Sequence, residues 1–392
     1  MDRQKTLTES YGKEIVEAIA QIAERSPFQE ELSYFLNAAH KHFVDDIKQP
    51  APPLVVLGSS IPEELVCTGG RSPYWVLGGS RASSLWADGD VPRDTDPVSR
   101  SSLGYFNSGF GKDSLILVPL VSDSSRKLAY LLKTDGFKVH TFHFPPVKDQ
   151  FFRTEWERQY ESCRWAIAMH LKRPITKRQL KDSAETVGRA KKELQKFLSA
   201  SADVLPGSIR LFVTNSFYFA DDLSLWAAQL ESWSARLRHM FSSRMMEKRK
   251  VLLLGSPIYF PNYKVPLLIE DAGLEISGQA DYSSLQLQSG IAGFYWQDAS
   301  PAYVRNDSFF RQIQELAGKR EVDGVVYHVL KGQIEYDFEF TRLEGFFESM
   351  SIPVFRLETD YNYQDVEQLR LRLEAFSEVL NQRRYGRWAA AI

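Results

Sequence analysis

Apolar positions follow two rhythms along this 392-residue chain, one recurring every three to four residues and one made of short unbroken runs. Ile15, Ile19 and Ile22, then Leu32, Phe35 and Leu36, recur at helical spacing among charges, so residues 8 to 45 predict helices. After the break at Gln49-Pro50-Ala51-Pro52-Pro53, the run Leu54-Val55-Val56-Leu57-Gly58 reads as a buried parallel strand that feeds a loop and then a helix. Pro62-Glu63-Glu64 suits that helix's first turn, where a missing N–H costs nothing and carboxylates favour the dipole. Tyr74 to Leu77, Leu115 to Pro119 and Lys138 to Phe142 predict further strands before Pro145-Pro146. From 150 to 248 helical periodicity dominates, with Lys177, Arg178, Lys181, Arg189, Lys191 and Lys192 expected on a solvated face. Strand-like runs resume at Val251 to Gly255, Leu274 to Ile276, Val325 to Val329 and Val354 to Leu357. A last helix, about 365 to 381, sets Val366, Leu369, Leu373, Phe376 and Leu380 on one stripe. The pattern predicts an α/β protein: a helical segment at 1–50, a first α/β lobe at 51–149, connecting helices at 150–249 and a second α/β lobe at 250–392.

Length agrees with two lobes, since one ordinary core does not grow to this size. A hydrophobic share of 43%, a charged share of 25% and a net charge of -2 argue against nucleic acid or a polybasic membrane contact as partner. The longest apolar runs have strand length, far short of the roughly 20 residues a spanning helix needs. Met1-Asp2-Arg3-Gln4-Lys5 opens a polar segment rather than an apolar leader, so a cytoplasmic protein without membrane association is expected. Cys67 and Cys163 stand far apart; reduced thiols are expected, and two thiols alone cannot build a four-thiolate metal site.

Several common chemistries lack their residues. Gly109-Phe110-Gly111-Lys112 imitates the end of a phosphate-binding loop, but Phe106 stands where the first glycine belongs and the segment precedes a strand. Neither a G-x-G-x-x-G after a strand nor a G-x-S-x-G elbow occurs. His40 and His42 point apart on a helix, and His140 and His143 lie on opposite sides of an extended segment, so no histidine metal site is expected. Structural roles suit His170, His239 and His328, of which His328, near a strand end, is the best catalytic candidate.

In open parallel sheets ligands gather beyond the carboxyl ends of the strands, here the loops after Leu57, Leu77, Pro119, Leu254, Leu330 and Leu357. The loops and their flanking helices carry a series of motifs. Gly255-Ser256-Pro257 precedes Leu267-Leu268-Ile269-Glu270-Asp271-Ala272-Gly273, and Asp323-Gly324-Val325-Val326 precedes Lys331. Ile352-Pro353-Val354 leads to Glu358-Thr359-Asp360-Tyr361, Gln368-Leu369-Arg370 and Arg372-Leu373-Glu374-Ala375-Phe376. Ile61-Pro62-Glu63-Glu64-Leu65-Val66 with Gly69, and Ser102-Leu103-Gly104, belong to the first lobe. In this order the motifs resemble those of the 2-hydroxyacyl-CoA dehydratase and benzoyl-CoA reductase subunit family, from about residue 51 to 380.

The resemblance implies two Rossmann-like or flavodoxin-like lobes with short parallel sheets, and an oxygen-sensitive assembly of two related subunits in anaerobic metabolism. Three loop cysteines of such subunits hold a four-iron, four-sulphur cluster. The cluster takes one electron from an ATP-dependent activator and passes it to an acyl-CoA, allowing radical dehydration or ring reduction. This chain departs at all three cysteine positions, which hold Asp96 before Pro97, Ser122 before Asp123, and Gln333 two residues after Lys331. The expectation is therefore that this chain binds no cluster, that a related partner carries the 4Fe-4S cluster, and that Asp96, Ser122 and Gln333 converge on one cleft. Ser60, Ser102, Gly255, Ser256 and Lys331 are substrate-binding candidates; Glu63, Glu64 and His328 are acid or base candidates. Two function classes stay open: the cluster-free half of a dehydratase or reductase heterodimer, or a repurposed acyl-CoA or small-anion binding or regulatory protein, or an enzyme without electron transfer, using the same cleft.

Overall fold

Short apolar runs that cannot leave backbone groups unpaired pair with one another, and here they do so as two all-parallel sheets. The computed structural model describes residues 2–49, 51–68, 72–238, 240, 248–283, 291–303 and 305–391, and the side chains of all of these but 2–7, 291–293 and 384–391. In the first sheet β1 (Leu54–Leu57), β2 (Tyr74–Val76), β3 (Leu115–Leu120) and β4 (Lys138–His143) lie in the order β2-β1-β3-β4. In the second, β5 (Arg249–Gly255), β6 (Leu274–Ala280), β7 (Gly324–Leu330) and β8 (Val354–Thr359) lie in the order β6-β5-β7-β8. The orders match strand for strand, so the chain reverses its winding direction beside β1 and again beside β5. These are the switch points where crevices open beyond the strand ends.

β1, β3 and β7 are buried along their whole length, as unbroken apolar runs in parallel sheets require. Between the two sheets along the chain come α7 (Gln150–His170), α8 (Lys177–Ala200), α9 (Gly207–Asn215) and α10 (Leu223–Leu237). One continuous core runs from Tyr11 and Ile15 through β1 and β3, across Trp156, Phe197 and Trp233, to Val251, Val326 and Leu373. A second core, with Phe309, Tyr327 and Phe347, fills the other face of the second sheet. The C-terminal helix Val366–Ala391 buries Leu369, Leu373, Phe376 and Leu380 on the expected stripe. No described helix is long and apolar enough to cross a membrane.

Helix α1 (Asp2–Arg25) ties both halves together. Its Glu14 carboxylate accepts from Ser80 Oγ (2.6 Å), Arg81 N (2.9 Å) and Ala82 N (3.0 Å), at the N-terminus of the short helix Arg81–Ser84. At its last residue, Arg25 reaches Asp271 (2.7 Å) and Glu270 (3.4 Å) in the helix Lys264–Asp271. His239 and Gly69 lie outside the described residues.

The basic face of α8 is largely as expected, with Lys177, Arg178, Lys181, Arg189 and Lys192 exposed, but Lys191 is buried. It belongs to the buried stripe of Ser183, Val187, Leu194 and Phe197.

Gly255 ends β5 at φ +109°, and a Cβ there would lie 2.1 Å from the His328 carbonyl oxygen. Gly255→Ala should therefore cost roughly 3 kcal/mol or more of stability. Urea unfolding should show a lower midpoint at unchanged slope.

Candidate functional site

The carboxyl edges of the two sheets face each other, and the cavity between them is built from the loops at both switch points. Asp96 caps the helix α5 (Pro97–Asn107), and its carboxylate accepts from Val98 N (3.2 Å), Ser99 N (3.1 Å) and Ser99 Oγ (2.6 Å). A fourth bond crosses between the lobes: Gln333 Nε2 donates to Asp96 Oδ1 at 2.8 Å. Burial pushes the Asp96 carboxyl above the usual range, with the bonds from Ser99, Gln333 and Val98 opposing it. Ser122 caps α6 (Asp123–Thr134) through a reciprocal box with Ser125, at 3.0 Å in each direction.

Around these residues lies an inner cavity of about 70 Å³, lined by Ser60, Asp96, Ser102, Ser122 and Gln333 among others. It opens past Val121, Ser122, Tyr282 and Glu335 into an outer chamber of about 570 Å³. The sequence reading had not singled out Tyr259, Tyr282, Glu335 or Tyr336, all of which line the inner cavity. A signal existed for two of them, since Glu335 and Tyr336 stand two and three residues after Gln333.

The remaining candidates stand elsewhere. Glu63 and Glu64 begin the short helix α3 (Glu63–Val66), fully buried and outside both chambers. Glu63 forms a buried ion pair with Lys191 at 2.9 Å, joining the switch-point helix to α8, so it is sequestered from solvent as well as placed in a helix start. Ser256 is buried and structural: its N–H donates to the His328 carbonyl (2.8 Å) and its Oγ accepts from Leu330 N (3.1 Å). Gly255 packs beneath it. His328 Nδ1 faces the Ser256 carbonyl at 3.3 Å, and burial lowers its pKa to about 4. Lys331 is exposed and pairs with Asp360 at 3.2 Å. None of these four lines the cavity.

The donor set does not suit the iron–sulphur cluster that the resemblance implies. Thiolates hold such clusters, whereas these three positions offer a carboxylate with four donors already on it, a hydroxyl committed to a helix cap, and an amide. Both cysteines are buried in packing positions away from the cavity, and burial pushes the Cys163 thiol up to about 12. Among the described residues no group of three histidine, cysteine, aspartate or glutamate side chains is placed to hold a metal ion.

Two outcomes test this arrangement. Lys191→Met should destabilise the chain by about 3 to 5 kcal/mol, because it takes the cation of the ion pair away from a buried carboxylate, and Glu63→Gln added to it should recover much of the loss in thermal unfolding. His328 should stay neutral down to about pH 4 in an NMR titration. Its folded pKa lies below the ordinary 6.5, so its share of stability is complete above 6.5 and is lost as pH falls from there toward 4.

A family model described as 2-hydroxyglutaryl-CoA dehydratase, D-component, matches residues 59–380. A protein of Escherichia coli (strain K12) named "Putative dehydratase subunit YjiM" is 24% identical over 360 residues, covering 86% of this chain and 94% of that one. The (R)-phenyllactyl-CoA dehydratase beta subunit of Clostridium sporogenes is 23% identical over 137 residues, 35% of this chain and 34% of that one. The match takes in every strand except β1 and holds Asp96, Ser122 and Gln333 of the cavity, and by it this chain belongs to the family of the 2-hydroxyglutaryl-CoA dehydratase D-component.

Proposed function

We propose that this chain is the cluster-free subunit of a 2-hydroxyacyl-CoA dehydratase-type heterodimer, paired with a related subunit that carries the 4Fe-4S cluster. One observation carries the reading: the three positions where the family sets thiolates hold Asp96, Ser122 and Gln333, around one cavity and bound into local hydrogen bonds. A subunit that keeps the two lobes and the crevice, but replaces every cluster ligand, has kept what pairing and acyl-CoA contacts require. It has lost what electron transfer requires. Ser60 and Ser102 in the inner cavity are its acyl-contacting candidates, and an ATP-dependent activator acts on the partner rather than on this chain.

The dehydratase names of the two relatives support a subunit role, and the beta-subunit designation of one of them supports a partner. In the cell the chain then works in the cytoplasm, as one half of an assembly whose redox centre lies across an interface.

The test is anaerobic expression of the chain alone with iron and sulphide supplied. The protein should be colourless and carry far less than one cluster per chain. Asp96→Cys, Ser122→Cys and Gln333→Cys together should yield a brown, oxygen-sensitive species, while single substitutions should not. Near-stoichiometric iron and sulphide in the unmodified chain would sink the cluster-free reading. Purification from the native cell should bring down a cysteine-bearing relative, and a strictly monomeric protein there would count against the heterodimer.

A further inference from the structure

The inner cavity has a chemistry of its own once the cluster is set aside. Tyr282 and Tyr336 meet edge to face, with centroids 4.9 Å apart and planes at 86°, so they form two perpendicular walls. Tyr259 lines the cavity as a third ring, held by a 2.8 Å bond between its hydroxyl and Ser59 Oγ. Tyr282 is fixed in place from behind by stacking on Phe309 at 3.7 Å, and it sits at φ +63°, a strained backbone for a bulky residue. Asp96 and Glu335 complete the lining, and neither forms a salt bridge among the described residues. No lysine, arginine or histidine lines the inner cavity among the described residues; Arg126 and Arg305 line only the outer chamber. Gln333, 6% exposed, presents a buried Oε1 that accepts no hydrogen bond.

A ligand that answers all of these must bring positive charge for the carboxylates, a cation for the ring faces, and N–H donors for an unsatisfied amide oxygen. A buried carboxylate without a counter-ion, as Asp96 is, is costly, and aromatic rings set around a small space attract cations. A quaternary ammonium lacks the donors, and a neutral alcohol lacks the charge. We propose that the inner cavity is a binding site for a primary ammonium group, caged by Tyr259, Tyr282 and Tyr336, with Glu335 and Asp96 supplying the charge and Gln333 Oε1 accepting an N–H. The inference rests on the reading that no cluster fills these positions. It adds to that reading the class of group that does: the amine end of a small ligand entering from the outer chamber.

The test is calorimetric titration of the full chain with propylammonium chloride against 1-propanol, at equal ionic strength set with sodium chloride. Iron is assayed on the same sample. Propylammonium should bind at least about tenfold more tightly than 1-propanol. Glu335→Gln, at a half-buried position, should weaken it about tenfold. Tyr336→Leu should abolish the preference for the amine, while Tyr336→Phe, which keeps the ring, should retain it. Iron-free protein that binds both probes equally, or neither, or whose binding survives Glu335→Gln and Tyr336→Leu unchanged, overturns the ammonium site while leaving the cluster-free reading in place. Stoichiometric iron in the sample overturns the reading on which the site rests.

Discussion

Two parallel sheets can bring their carboxyl edges together only where backbone meets backbone without side chains between. Gly79 and Gly332 make that approach possible. A Cβ on Gly79, which sits at φ +88°, would lie 2.7 Å from the carbonyl oxygens of both Tyr259 and Phe260, and one on Gly332 would lie 3.2 Å from Asp96 N. The second contact draws the loop after β7 against the segment that caps α5, and Gln333 can then reach Asp96. Ser59 meets Tyr259 by the first. The cavity, its serine lining and its tyrosine walls all follow from that close approach, since side chains from loops far apart in sequence share one space only when their backbones nearly touch.

The strands were legible because parallel sheets covered on both faces read as unbroken apolar runs, and each expected run forms a strand. Asp96, Ser122 and Gln333 were placed by the family resemblance alone: Asp96 ahead of the Ser102-Leu103-Gly104 segment, Ser122 after β3, and Gln333 two residues after Lys331. Lys191 was misread, and the reason is instructive. Its partner Glu63 is 128 residues away, so no local spacing announces the pair. A trace did exist: Lys191 lies four residues after Val187 and three before Leu194, on the stripe that helical periodicity assigns to the core. A charge on an apolar stripe signals a buried partner as well as an interruption. The tyrosine walls were hidden for a different reason, because Tyr259 and Tyr282 come from separate crossovers and only the closed sheet edges bring them to Tyr336.

Asp96, Ser122 and Gln333 are each bound into the fold. Two of the three became helix caps, which supply acceptors to N–H groups that would otherwise lack them. The third became a donor to the first. Asp96 and Ser122 thereby serve the folding of their own loops, and the bond from Gln333 joins the loop after β7 to the cap of α5.

Helix α1 is held at Glu14 by residues that follow it by fewer than 70 positions, and at Arg25 by Glu270 and Asp271, some 245 residues later. During synthesis at roughly 5 to 20 residues per second, Arg25 waits on the order of 10 to 50 seconds for its partners to emerge. Through that interval Tyr11, Ile15 and Ile22, which end fully buried, can dock only against the parts of their core already made. The nascent chain therefore carries an amphipathic helix with a half-built landing place. Such an element is a natural client for a chaperone at the ribosome exit, and the strap that joins the two lobes is fastened at its second end only after Glu270 and Asp271 have been made.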